Sequence, residues 1–159
     1  MSIKQKLLTL VASVGLLFAL SVMAVAAAPN AVEIPNDIPA TSVLVDGASH
    51  PIAGNASLWY KFNSTTNTAD ESVLTLLTLM NGTNSGLEFN VYSESQIANW
   101  WDATPIGRGT SQGSNGVRSD NLTWAGQFNG TGVQYIRVTN TNAGAANFTL
   151  MQSQVGSGR

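Results

Sequence analysis

The chain contains no cysteine and a single histidine, and only 10% of its 159 residues are charged. Without cysteine no disulfide can staple the fold and no lipidated thiol can tether it, so an apolar core must hold it together. One imidazole with no thiolate partner cannot assemble a zinc site. Basic residues are scarcer than acidic ones, at seven against nine, and two of the seven, Lys4 and Lys6, sit at the very start. Nucleic acid and anionic membrane surfaces both need a basic footprint, and neither is expected as a partner.

The N-terminus reads as an export address. Lys4 and Lys6 form a positive lead, residues 7–25 are a nearly unbroken apolar run, and Ala26, Ala27 and Ala28 supply small residues for cleavage ahead of Pro29. The run is also long enough to cross a bilayer as an uncleaved anchor. Both readings place the remainder outside the cell, and the only membrane contact expected is through that segment. Residues 29–41, with Pro29, Pro35 and Pro39, predict an extended linker. A chain beginning at residue 29 keeps five basic side chains against nine acidic ones, a formal charge of −4. It is long enough for one core and too short for two.

What is abundant is Asn, Thr, Ser and Gly, which disfavour helix interiors and favour turns and strands. Short runs of β-branched and aromatic residues alternate with Asn/Gly/Ser clusters, predicting strands near 42–46, 56–63, 72–80, 86–93, 120–128, 133–139 and 146–152. Period two is clear where Leu87, Phe89 and Val91 oppose Glu88 and Asn90, and where Leu122, Trp124 and Phe128 share a face. Residues 73–80 are apolar on both faces, which predicts a central strand covered on both sides. Asn81-Gly82 and Asn129-Gly130 read as hairpin turns needing positive φ. Residues 95–102 resist a strand reading and predict a helical turn capped by Ser93 or Ser95. The pattern is that of a single all-β antiparallel sandwich or jelly roll of seven or eight strands over residues 42–155, ending in a short tail at 156–159.

Five motifs then occur in order: Trp59-Tyr60-Lys61-Phe62, Phe89-Asn90-Val91-Tyr92, Pro105-Ile106-Gly107-Arg108-Gly109-Thr110, Leu122-Thr123-Trp124-Ala125-Gly126 and Tyr135-Ile136-Arg137-Val138-Thr139-Asn140. Together they resemble the bacterial pre-peptidase C-terminal domain across residues 42–152. The resemblance implies a jelly-roll sandwich of the kind appended to secreted proteases, with roles in secretion, maturation or surface binding. No peptidase precedes the domain in this sequence, which argues against a role defined by an attached enzyme.

Gly109-Thr110-Ser111-Gln112-Gly113 matches the G-x-S-x-G pattern, but a nucleophile elbow needs a helix after the Ser and a downstream His. Ser114-Asn115-Gly116 follows instead, and His50 lies upstream in a stretch that reads as an exposed turn. No catalytic residue is assigned, and no cofactor is expected. Asp70, Glu71, Asp102 and Asp120 are hard-oxygen candidates for calcium, without the spacing of a calcium loop, so no metal ligand is assigned. Trp100 and Trp101, framed by Asn99 and Asp102, are the binding candidates, because adjacent side chains diverge and burying both is harder than burying one. An exposed indole beside amide and carboxylate groups stacks on sugars or anchors a protein. The alternative is a plug, both rings closing one end of the sandwich, in keeping with how deeply Trp is usually buried. Arg108 is a further ligand candidate, whereas Arg137 should face away from Ile136 and Val138 and serve in pairing or anchoring. Trp59 and Trp124 are expected in core or inter-strand packing. The function these features predict is non-catalytic binding of an extracellular polysaccharide or protein. The second reading is assembly through sandwich edges or the Pro-rich segment.

Overall fold

The computed structural model describes residues 36–65, 72–81, 86–111 and 120–157. The apolar N-terminal run, Asp70, Glu71, Gln112 and Gly113 fall outside those residues. Nine strands form: β1 (Val43–Leu44), β2 (Ser49–Ile52), β3 (Ser57–Ser64), β4 (Ser72–Met80), β5 (Leu87–Ser93), β6 (Gly107–Arg108), β7 (Leu122–Asn129), β8 (Gly132–Asn140) and β9 (Ala146–Ser157). They make a five-stranded sheet in the order β1-β3-β8-β5-β6 and a four-stranded sheet in the order β2-β9-β4-β7. The all-β sandwich expected from the pattern is the fold.

The core lies between the sheets and is built from the inward half of each alternating strand. Tyr60 and Phe62 of β3, Phe89 and Val91 of β5, and Ile136 and Val138 of β8 meet Leu77 and Leu79 of β4 and Phe148 and Leu150 of β9. All ten are essentially sealed from solvent. Burying side chains of this size stabilises by about 1.5–3 kcal/mol each, which is how a chain without disulfides offsets its ordering entropy.

Four expectations need correction. First, Asn81-Gly82 and Asn129-Gly130 are not hairpin turns. Asn81 and Gly130 do adopt positive φ, at 66° and 76°. Yet β4 and β7 lie in one sheet and β5 and β8 in the other, so neither connection joins two paired strands, and Gly82 itself falls outside the described residues. Every connection except β5 to β6 changes sheet, and β4, already bonded to β7 and β9 on its two edges, has no edge left for β5. Second, the sandwich is not wholly antiparallel: β1 runs parallel to β3, pairing Val43 with Tyr60 and Leu44 with Lys61. Third, β4 is central in its sheet, but only Val73, Thr75, Leu77 and Leu79 are covered; Leu74, Leu76 and Met80 on its other face are exposed. Fourth, His50 is not in an exposed turn. It sits in β2 with its ring 5.6 Å from Tyr60 and 6.1 Å from Phe148, and shares a 2.8 Å contact with Asp46 Oδ1.

The packed region also begins before the expected boundary at residue 42. The Trp59 N–H donates to the Asn36 carbonyl at 2.6 Å and Asn36 Nδ2 donates to the Trp59 carbonyl at 3.0 Å. A 3₁₀ turn at Pro39–Thr41 follows, with Pro39 and Ser42 buried. Residues 36–42 thus lie along the five-stranded sheet, and at the other terminus β9 continues to Ser157 alongside β4.

Candidate functional site

The outer face of the five-stranded sheet is set by parity. In β3, Tyr60 and Phe62 point inward, so Trp59 and Lys61 point outward. In β8, Ile136 and Val138 point inward, leaving Tyr135 and Arg137 outward. The register places Trp59 opposite Arg137 and Lys61 opposite Tyr135, and on the other flank Asn90 opposite Arg137 and Tyr92 opposite Tyr135.

A second, smaller layer covers part of this face. The 3₁₀ helix Glu94–Asn99 follows β5, and the Ser93 N–H donates to Gln96 Oε1 at 3.0 Å, the reciprocal arm of a capping box. Gln96 Nε2 donates to the Thr104 carbonyl at 2.7 Å and so ties the turn to the strand that leads into β6. The helical turn expected at 95–102 is therefore real, if tighter than an α-helix, and its exit delivers Trp100 and Trp101.

The two indoles separate. Trp100 lies edge-on to Trp59, with ring centroids 5.1 Å apart at 71°, and the Arg137 guanidinium carbon stands 4.6 Å from its ring centroid. A cation over an indole is attracted by the ring quadrupole, with about 0.5–2 kcal/mol at stake depending on desolvation. Trp59, although fully buried, belongs to this outer layer with Tyr92, 5.5 Å away, and not to the core. Its Nε1 and the Arg137 Nε are buried with no hydrogen-bond partner among the described residues. Trp101 turns away: its ring is 6.1 Å from Trp100 at 80°, and it is 68% exposed. The plug expectation fails in its geometry, since Trp100 packs on the outer face of a sheet with Trp59 and Arg137, and Trp101 is left largely in solvent.

Beside the pair is an open cavity of about 350 Å³ lined by Trp100, Trp101, Ile97, Lys61 and Tyr135, with Ile38, Pro39, Ala40 and Ser42 forming its far wall. Asn99 and Asp102, on either side of the pair in the chain, are exposed, and the Asp102 N–H donates to the Asn99 carbonyl at 3.1 Å. Arg108 stands apart from the cavity on β6, opposite Asn90. Of the residues singled out from sequence, Trp100 and Trp101 line the cavity, Asn99 and Asp102 flank them in the chain, and Arg108 does not join them. Lys61, Tyr135 and Pro39 were not singled out; the parity of Trp59-Tyr60-Lys61-Phe62 was the available signal for Lys61.

No comparable cluster surrounds Ser111 among the described residues. It follows the isolated bridge between Thr110 and Thr123 that joins β6 to β7, whereas His50 sits in β2 at the opposite edge of the four-stranded sheet. Asp46, bonded to His50 Nε2 and to the Ala48 N–H, has its carboxyl held below the ordinary value of 3.8, chiefly by the hydrogen bond from His50. Asp102 and Asp120 form no group of three potential metal ligands among the described residues.

No family model matches the chain, and no curated protein matches it. Among solved structures, the fold is similar to a 1.0 Å crystal structure of the pre-peptidase C-terminal domain of collagenase from Bacillus anthracis. The TM-score is 0.52 at 14% sequence identity, covering 69% of this chain and 90% of that one. At that identity the likeness is one of architecture, and it agrees with the order of motifs in the sequence: the chain has the fold of a pre-peptidase C-terminal domain.

Proposed function

We propose that the chain is a non-catalytic module that binds an extracellular polysaccharide at the Trp101 cavity. The observation that carries this reading is the exposed Trp101 indole at the lip of a cavity whose other walls hold both apolar surface and polar groups. A large ring left in water costs free energy unless something covers it, and a pyranose face is a natural cover because its C–H surface packs on the indole. Lys61 and Tyr135 line the same cavity, and the exposed Asn99 and Asp102 flank the two indoles in the chain, so donors and acceptors that orient hydroxyl-rich ligands accompany the ring. Trp100 holds the platform, being fixed from behind by Trp59 and Arg137.

The test is binding of the protein to a panel of insoluble and soluble polysaccharides, followed by calorimetry on any that retain it. Trp101→Ala is expected to keep the wild-type circular dichroism spectrum and lose at least about tenfold in affinity, the scale of a stacked aromatic anchor. Retention of full affinity by Trp101→Ala, or wild-type binding to no member of the panel, overturns the reading.

A further inference from the structure

The outer faces of the two sheets differ in one respect that the Trp101 cavity does not explain. The five-stranded sheet presents Lys61, Glu88, Arg108 and Arg137 to the outside. The four-stranded sheet presents no charged side chain at all. Its outward positions are Leu74, Leu76, Thr78 and Met80 on β4, Thr123, Ala125 and Gln127 on β7, Thr149, Met151, Ser153 and Val155 on β9, and Ser49 and Pro51 on β2. Five of them are large apolar side chains left bare: Leu74 at 48% exposure, Leu76 at 43%, Met80 at 38%, Met151 at 48% and Val155 at 65%. The register makes them contiguous, since Leu74 lies opposite Val155, Thr78 opposite Met151 and Met80 opposite Thr149.

We infer that this face is the interface of a homodimer in which the four-stranded sheets of two copies pack against each other. A contiguous exposed apolar patch without charge is often an interaction surface. The area suits a dimer. Three long strands and one short one, about 4.8 Å apart with about 3.4 Å per residue, give a face of roughly 500 Å² in plan. Protruding side chains raise its accessible area toward the roughly 800 Å² per partner of a stable interface. The absence of charge selects the occupant. Among the described residues this face carries no charged side chain, so a chain with an acidic excess meets its own copy there without opposing like charges. A twofold axis near the centre of β4 sets Leu76 against its counterpart, an isologous contact between identical patches. An anionic lipid surface would instead need basic residues around the patch, and none is present on this face among the described residues.

Sedimentation velocity of the full chain across the micromolar range tests the inference. Wild type is expected to show a concentration-dependent dimer. Leu76→Lys and Val155→Lys, each of which sets a cation against the copy's apolar face, should weaken it at least about tenfold. Leu44→Lys, at an exposed apolar position on β1, should dimerise as wild type does and so controls for the general effect of an added lysine on the sandwich surface. The absence of cysteine offers a second readout that does not depend on tolerating lysine. A short bifunctional maleimide should link Met151→Cys into covalent dimers and leave Ile106→Cys, on the strand leading to β6, monomeric. A monomeric wild type, dimerisation of Leu76→Lys equal to wild type, or cross-linking at Ile106→Cys in preference to Met151→Cys overturns the inference. So does flotation of a monomer with neutral phospholipid vesicles that Leu76→Lys abolishes, which would make lipid the occupant of this face.

Discussion

Trp100 is the side chain on which the binding face depends, because it touches each of the groups that give the face its shape. It shields Trp59, offers its ring to Arg137 and supports the back of Trp101. Truncation at Trp100 should therefore cost stability as well as binding. Trp100→Ala is expected to destabilise by about 2–4 kcal/mol, somewhat below a full core truncation because the ring is half-buried, read as a lower urea midpoint with an unchanged m-value. Trp101→Ala should shift the midpoint by less than about 0.5 kcal/mol, as surface substitutions do. Equal effects of the two would show that the rings act as one plug. Asp46 shows a smaller effect with a definite sign. Because its carboxyl is held below its ordinary value of 3.8, the stabilisation it provides is complete above that value and is lost as pH falls through the lower folded value. Asp46→Asn should lower the urea midpoint slightly near neutrality and leave it unchanged in acid well below 3.8, where wild type has lost the same interaction.

At the scale of elements, Trp124 closes the sandwich where β6 and β7 meet. A Cβ on either Gly107 or Gly126 would fall within the Trp124 indole, so both positions need glycine for space and not for backbone conformation. The bridge between Thr110 and Thr123, with N–H···O contacts of 2.9 Å in both directions, fastens the same edge. Gly126→Ala should cost about 1–3 kcal/mol by overpacking, and the cost should largely vanish in a Trp124→Leu background. Additive losses in that double-mutant cycle would show that the glycine serves something other than the ring. The same pair shows what a sequence conveys about a fold. Leu122, Trp124 and Phe128 could be placed on one face by alternation, and β4, β5 and β8 were bounded to within a residue or so, because β-branched and aromatic runs report local geometry directly. Sheet membership could not be read, since Asn81 and Gly130 encode a positive φ and nothing about which layer the chain enters next. β2 and β6 escaped because four residues including His50-Pro51, and two including Gly107, carry no periodic signal. At the site, Trp100 and Trp101 stood out as adjacent indoles. Lys61, Tyr135 and Pro39 reach the cavity only through the β3–β8 register and the docking of residues 36–42, which are long-range facts.

At the scale of the whole molecule, the proposed cavity and the proposed dimer face lie on opposite sides of the sandwich, one outside each sheet. Joining two copies through their four-stranded sheets stacks four layers about 10 Å apart and leaves the two Trp101 cavities facing away from each other, on the order of 30 Å or more apart. Such a dimer cannot place both cavities on one flat surface, so it gains little avidity there, but it can hold two polymer chains at once. The expected behaviour is bridging: with a soluble polysaccharide that the cavity binds, wild type should produce turbidity over a window of stoichiometry that disappears at excess protein. Leu76→Lys should bind the same polymer with unchanged affinity per cavity and produce none, while Trp101→Ala should fail at the binding step. Light scattering together with calorimetry on a short oligosaccharide separates the outcomes. Loss of oligosaccharide affinity in Leu76→Lys would mean that the two faces are coupled through the core. Turbidity from a Leu76→Lys monomer would mean that one sandwich carries a second polymer site, and either result would count against division of the work between opposite faces.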